Sequence, residues 1–400
     1  MSKVNKQFLY IVEKKIEENK IKQYCENLIK IKKTIPKRSS FIILDLSRYY
    51  LGKNFNLGQK LKKKFNYIKI SKDLELSNFF NKNNNFCFVR LKNDLRMLKI
   101  LFIIKKYKIK IISSTTEGLY PQSYYKGDVS LSYKFLSLFK YKLNYFFFRV
   151  IAALDIIPSI DYFFESSQSR INYIKKNRKK NILYFFFGKK SYYYKKIIRV
   201  NSSILNVADK FKKKLDNKYI VFIDSGYEHP DVTKKEIIIS RKNRIEYYEN
   251  LYNFLDNLKR ELNTKVIYCK HPRGIYPKNF DKFYKNFNVS VGKAEHYIAK
   301  SKVVFFYVST LMNLAILMNK NIALLESDQD YGLYKDKIYS IKKEIDLYSF
   351  NISKKNHNFK KIINKINKKK MLYKKFIKSN HIIDQKKSYF ESMRDRLNKL

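Results

Sequence analysis

Short apolar runs alternate with longer amphipathic stretches along most of the chain, the pattern of an α/β protein built on parallel sheets. In the first half these runs predict strands at Phe41–Leu46, Tyr67–Ser71, Phe86–Leu91 and Ile109–Ser114, then at Asn181–Phe187 and Ile197–Val200. In the second half they predict strands at Tyr219–Asp224, Lys265–Cys269, Lys302–Tyr307 and Asn321–Glu326. Between the first two of these, Asn243–Leu262 predicts a helix, because Tyr248, Leu251, Leu255, Leu258 and Leu262 share one helical face. Asp384–Leu400 repeats that spacing with Phe390, Met393, Leu397 and Leu400.

The polar, basic stretch Val200–Lys218 precedes a fresh apolar strand and predicts a domain boundary. The division expected is an acceptor-binding domain over 1–205, a nucleotide-sugar-binding domain over 206–350 and a basic helical segment over 351–400. Within the last, Lys354–Lys378 is so rich in lysine and asparagine that it predicts a solvated helix or a mobile connector. The fold class expected is therefore α/β, with two Rossmann-like domains whose parallel sheets face a cleft, and C-terminal helices. Sheets of this kind bind ligands beyond the carboxyl ends of their strands.

Composition narrows the classes. The 400 residues are 45% apolar and 16% aromatic, enough for sizeable cores and too hydrophobic for a disordered basic tail. Nine Gly and six Pro exclude a fibrous or linker-like chain. The net charge of +52 suggests a polyanionic partner, yet 72 Lys accompany only 14 Arg, with abundant Ile, Asn, Tyr and Phe and no Trp. AT-rich codons favour most of these residues, and a dedicated nucleic-acid binder leans on the planar, bidentate Arg instead. Cys25, Cys87 and Cys269 lie far apart, with no CxxC and no His at zinc-ligand spacing, which points to a reducing cytoplasm. The charged start MSKVNKQFLYIVEKKIEENK does not read as a signal peptide, and no run of apolar residues is long enough to span a bilayer.

The chemistry-bearing residues gather where the second-half strands end. The first strand ends in Asp224-Ser225-Gly226, followed by Glu228-His229-Pro230-Asp231, and the second runs into Lys270-His271-Pro272-Arg273-Gly274. The third delivers Ser309-Thr310 directly before a helix, and the fourth ends in Glu326-Ser327-Asp328. Pro272 forces His271 into extended geometry, projecting its imidazole from the strand end, and Lys270 and Arg273 beside it suit a phosphate. Ser309 and Thr310 stand where a hydroxyl can cap a helix, or where the helix start can accept a phosphate. In the first half, Glu117 sits on a Gly-hinged loop after a strand, where a carboxylate could take a proton in a displacement. No DxD pair stands at a strand end in a suitable context, so no metal site is expected and a metal-dependent transferase mechanism finds no support. No P-loop or convincing dinucleotide fingerprint appears.

The ordered set YIVFIDSGYEHPD, KVIYCKHPRG and VVFFYVSTLMNLAILMNKNIALLE resembles the C-terminal half of bacterial surface-polysaccharide glycosyltransferases. Its HP and Ser-Thr pair is similar to the motifs of bacterial sialyltransferases and Kdo-type transferases of the GT-B fold, and the resemblance covers about Lys218–Asp328. It implies that His271, Ser309 and Thr310 contact the nucleotide phosphate. In a transferase of this kind the cations Lys270 and Arg273 beside the histidine would help to hold that phosphate, and Glu326 at the next strand end would reach the nucleoside. Sialyltransferases of that group carry a D/E-D/E-G motif whose acid deprotonates the acceptor. The nearest match is Thr116-Glu117-Gly118, which departs from the pattern at Thr116 and makes Glu117 the candidate base. Asp224 is the second carboxylate of interest, with a positioning or acceptor-binding role. The implied activity is metal-independent transfer of a sugar from a nucleotide donor, a CMP-activated acidic sugar being favoured, to a surface glycan or lipid-linked acceptor. No cofactor besides that donor substrate is implied.

Two further readings stay open: a basic nucleic-acid- or anion-binding protein without catalysis, and a sugar-nucleotide epimerase of similar architecture. Lysines interleave with aromatics in Tyr133–Arg149 and Tyr184–Lys196, which suits an anionic membrane or single-stranded nucleic acid. The even spread of charge disfavours nucleic acid. A cytoplasmic protein, peripheral at the inner face of the plasma membrane, is the expected location.

Overall fold

Two parallel sheets, each wound outward in both directions from its first strand, organise the computed structural model. It describes residues 6–12, 21–46, 65–70, 85–88, 98–115, 149–179, 182–191, 194–211, 216–225, 240–272, 280–330, 332–354, 357–368, 371–384 and 386–400, with a few isolated positions between. The chain divides into two units. The first takes the described residues within Met1–Thr116, Leu136–Ser202 and Ile383–Leu400; the second takes those within Ser203–Ile382.

The first unit holds β1 (Gln7–Val12), β2 (Ser40–Asp45), β3 (Asn66–Lys69), β4 (Asn85–Phe88), β5 (Lys110–Thr115), β6 (Ile160–Glu165) and β7 (Tyr194–Arg199). Their order is β3-β2-β1-β4-β5-β6-β7, and every pairing is parallel. Helices α1 (Ile21–Thr34), α2 (Leu98–Lys106), α3 (Gln168–Lys179) and α4 (Ile182–Phe187) accompany them. Both faces of the central strands are apolar: Leu9, Ile111 and Phe163 join one cluster, while Phe8, Ile112 and Phe164 join the other. Neighbouring residues of one strand thus enter opposite cores, as a sheet covered on two sides requires.

The second unit holds β8 (Tyr219–Ile223), β9 (Val266–Lys270), β10 (Asn288–Val291), β11 (Ser301–Phe306), β12 (Asn321–Glu326) and β13 (Tyr348–Asn351). Their order, β10-β9-β8-β11-β12-β13, is the 3-2-1-4-5-6 order of the doubly wound dinucleotide fold. The helices are α5 (Leu205–Phe211), α6 (Arg241–Leu262), α7 (Phe280–Tyr284), α8 (Ala294–Ala299), α9 (Met312–Leu317), α10 (Gly332–Ile345), α11 (Phe359–Lys368) and α12 (Met371–Asn380). The expected helix over Asn243–Leu262 is α6; Ser240 caps it by accepting the Asn243 N–H, and Asn263 closes it in the left-handed conformation at φ 44°. Lys320 is one lysine turned inward: its buried ammonium donates to the carbonyls of Asp216 at 2.7 Å and Ser301 at 3.0 Å.

Three expectations give way. Asn181–Phe187, predicted as a strand, contains helix α4 instead; a short apolar run does not separate the two by periodicity. Lys354–Lys378 is neither a solvated helix nor a loose connector. It carries α11 and most of α12, whose Phe359, Ile363, Ile366, Tyr373 and Phe376 are buried in the second unit's core. Their spacing of three and four is helical, hidden in composition by the lysines on the wet face. Residues 351–400 do not form one segment either, since Ile383–Leu400 belongs to the first unit. There α13 (Tyr389–Asn398), with a capping box between Ser388 and Glu391, buries Tyr389, Met393 and Leu397. Asn201 holds this return: its amide donates to the carbonyls of Asp384 and Lys387, and its Oδ1 accepts the Ile383 and Asp384 N–H groups.

His381, at the end of α12, is fully buried with both ring nitrogens unpartnered, and burial lowers its pKa to about 4. As pH falls through about 6.5 the unfolded chain takes up a proton that the folded one refuses, so stability drains away between pH 6.5 and 4. The loss is of order 3 kcal/mol once complete. His381→Leu is expected to be at least as stable at neutral pH and to lose less on acidification, read as thermal midpoint against pH. Parallel curves for the two proteins would contradict this.

Candidate functional site

The reversal in strand order falls between β8 and β11, and the residues singled out in the sequence stand along that rim of the second unit. Asp224 follows β8, Lys270 ends β9 with His271 next, Ser309 and Thr310 follow β11, and Glu326 ends β12. Parallel pairing of β9, β8, β11 and β12 brings these four ends to one edge of the sheet.

Asp224 lies at the centre and is only 2% exposed. The Tyr268 hydroxyl donates to its Oδ2 at 2.9 Å, the Tyr276 hydroxyl also bonds its side chain, and its N–H donates to the Cys269 carbonyl at 3.0 Å. Burial, reinforced by this carboxylate, pushes the hydroxyl pKa values of Tyr247, Tyr268, Tyr276 and Tyr284 upward, so all four stay protonated donors. The same Tyr276 hydroxyl accepts the His271 N–H at 2.7 Å. Asp224 is thereby linked through one tyrosine to the backbone of His271.

His271 is half-buried and opens a turn in which its carbonyl accepts the Gly274 N–H at 3.1 Å. Pro272 occupies the second position of that turn, where its fixed φ fits. Gly274 is required sterically: a Cβ there would lie 2.7 Å from the Tyr276 ring. The Lys270 ammonium sits 4.3 Å from the ring centroids of both Tyr276 and Phe280, a cation–π position that holds it beside the turn. Arg273, Glu117, His229 and Asp231 lie outside the described residues.

Ser309 and Thr310 differ from a simple helix cap. The Ser309 hydroxyl accepts the Leu311 N–H at 3.3 Å, and the carbonyls of Ser309 and Thr310 accept the N–H groups of Met312 and Asn313. The six-residue α9 starts after Leu311 with no side-chain cap. Those N–H groups are already engaged, which leaves the exposed Thr310 hydroxyl and the half-buried Ser309 as the polar groups facing outward. Glu326 pairs with Lys342 of α10 at 2.9 Å.

One residue of this rim escaped the sequence reading. Asp330 is 7% exposed; its Oδ2 accepts the Ser327 N–H at 2.9 Å, and its Oδ1 has no partner. Burial raises its carboxyl to about 7, so it stands between its two protonation states at neutral pH. Beside its loop, Tyr227 donates to the Gln329 carbonyl and stacks on Tyr247 at 4.0 Å between centroids. The signal was an acid four residues beyond the strand end, past the point where a rim residue is sought. In the first unit, Asp45 accepts from Tyr67, and Glu165 accepts the Ser166 and Ser167 N–H groups and pairs with Arg170 at 3.3 Å. These carboxylates are spent on the fold.

An open depression of about 460 Å³ is lined by Lys259, Arg260, Asn263, Thr264 and Asn288. It lies at the amino ends of β9 and β10, the opposite end of the sheet from His271. No group of three or more His, Cys, Asp or Glu residues placed to hold a metal ion occurs among the described residues.

No protein-family model matches the chain, and no curated protein matches it. Solved structures do. It is similar to UGT89C1 of Arabidopsis thaliana complexed with UDP, at 9% identity and TM-score 0.46, over 98% of this chain and 99% of that one. It is similar to the UDP-GlcNAc 2-epimerase of Neisseria meningitidis bound to UDP-GlcNAc, at 11% identity and TM-score 0.45, over 98% of each chain. A third likeness is to the wall teichoic acid polymerase TagF, at 12% identity and TM-score 0.44, over 99% of this chain and 88% of that one. None of the three exceeds 12% identity or a TM-score of 0.46, a level that identifies neither substrate nor reaction.

Proposed function

We propose that the protein is a GT-B-type, nucleotide-sugar-dependent glycosyltransferase whose second unit holds the donor. The observation that carries this is the placement of His271, Ser309 and Thr310 at the carboxyl rim of a 3-2-1-4-5-6 sheet, around its strand-order reversal. That is where such sheets place a nucleotide, and imidazole and hydroxyl donors suit the phosphate. The donor favoured is a CMP-activated acidic sugar and the acceptor a surface glycan or lipid-linked glycan.

In the reaction the bond from the anomeric carbon to the donor phosphate breaks, and a new bond to an acceptor oxygen forms. Glu117 is the proposed base for the acceptor proton. His271, Ser309 and Thr310 stabilise the charge that develops on the leaving phosphate, with Lys270 and Arg273 adding positive potential. Asp224 is enclosed by tyrosines and serves as a positioning residue, holding Tyr276 against the His271 backbone. Glu326 is the group proposed to reach the nucleoside, which requires it to exchange its Lys342 partner.

Thermal shift with CMP, CDP, UDP, GDP and their sugars tests this directly. A ligand that binds the folded state at a hundred times its Kd adds about 2.7 kcal/mol, so one nucleotide class is expected to raise the midpoint markedly. No response to any of them would shift the reading to a basic binding protein. Isomerisation of a UDP-sugar without acceptor would make it an epimerase.

A further inference from the structure

We propose that α4 and the turn after it form a membrane-docking element that inserts two phenylalanines into an anionic lipid surface. Helix α4 buries Leu183 and leaves its next two apolar side chains outside: Phe185 is 86% exposed and Phe186 is 68% exposed. Their rings meet edge to face at 5.4 Å between centroids. Leu183, 3% exposed, is the side chain this helix buries, and the two exposed rings have no part in that burial.

The turn presents the pair to solvent. Gly188 takes φ 54°, a left-handed conformation, and leads into the 3-10 turn Gly188–Ser191, where Lys189 is exposed. A Cβ at Gly188 would meet nothing within 4 Å, so the chain turns in open space. Glycine there serves the backbone conformation alone.

The segment that carries the pair is one-sided in charge. Between Gln168 and Arg199 the sequence holds 11 Lys and Arg residues and no Asp or Glu. Lys175 and Lys176 of α3 and Lys195 and Lys196 of the edge strand β7 are exposed with Lys189, and of these Lys195 pairs with Asp161. The chain-wide excess of lysine reflects composition. The absence of any acid over this stretch, beside two protruding rings, is a local property that the excess does not explain. Rings that enter the headgroup boundary while ammonium groups stay at its surface match an anionic bilayer on both counts. The edge-to-face pair presents no parallel platform of the kind single-stranded nucleic acid stacks on.

Flotation of the full chain with phosphatidylcholine vesicles, with and without phosphatidylglycerol, tests this and needs no nucleotide sugar, so it stands apart from the transferase reading. The wild type is expected to float with the anionic vesicles, less so at high salt, and not with the neutral ones. Phe185→Ser/Phe186→Ser is expected to weaken that binding about tenfold or more, with an unchanged thermal midpoint because neither ring is buried in the core. Lys175→Glu/Lys189→Glu is expected to weaken it at low salt and to matter less at high salt. Failure of the wild type to float with anionic vesicles, or equal flotation of the phenylalanine variant, overturns the proposal. So does a wild-type oligomer that this variant dissolves, which would give the pair to a second copy of the chain, or a loss confined to single-stranded RNA binding.

Discussion

Replacing His271 with alanine is expected to slow sugar transfer by about a hundred- to ten-thousandfold, the range seen when a positioned proton donor or a phosphate-stabilising donor is removed. The loss belongs in kcat, because the imidazole is asked to meet charge that grows on the phosphate as the glycosidic bond breaks. The donor KM is expected to move only a few-fold, since Ser309, Thr310 and the basic residues beside the turn remain. The fold should tolerate the change, because the His271 backbone holds the turn through its N–H to Tyr276 and its carbonyl to Gly274, and alanine keeps both. Steady-state kinetics with a matched donor and acceptor, alongside the thermal midpoint, decide the matter. A variant with normal turnover removes His271 from the reaction, and a variant with lost turnover and a collapsed midpoint says nothing for a chemical role and counts against this assignment of the ring.

Much of this arrangement was legible in the sequence because strand ends carry two signals at once. Tyr219–Ile223, Val266–Lys270, Ser301–Phe306 and Asn321–Glu326 are apolar runs with polar ends, so the runs predict the sheet and the ends predict the rim. Strands β10 and β13 were not legible, since Asn288–Val291 and Tyr348–Asn351 are four residues long and polar at alternate positions, as edge strands of a sheet often are. Helix α4 was misread because FFF between lysines fits a buried strand, and only tertiary structure shows two of its rings in solvent. The tyrosine enclosure of Asp224 was invisible for a different reason. Tyr268 and Tyr276 look like ordinary aromatic filling of a core, and nothing in their spacing says that their hydroxyls converge on one carboxylate. Asp330 was missed because its burial is set by the loop from Ser327 to Asp330, not by strand periodicity.

That enclosure leads to the second large effect. Asp224→Ala is expected to destabilise the second unit by about 3 kcal/mol, the cost of leaving the buried Tyr268 hydroxyl and the half-buried Tyr276 hydroxyl without their carboxylate acceptor. For a unit of this size that corresponds to a fall of roughly 6–12 °C in its unfolding midpoint. Asp224→Asn keeps one carbonyl oxygen for Tyr268 or Tyr276 and is expected to lose about a third as much. The two variants also separate a structural role from a positioning role. Tyr276→Phe leaves the ring packed against Phe280 and removes only the hydroxyl that joins Asp224 to His271. If Asp224 acts through that hydroxyl, Asp224→Asn and Tyr276→Phe should lower kcat by similar factors, and combining them should add little beyond either alone, because both break one chain of contacts. Fully additive losses would place Asp224 and Tyr276 in separate roles, and unchanged kcat with a lowered midpoint would confine the carboxylate to the fold.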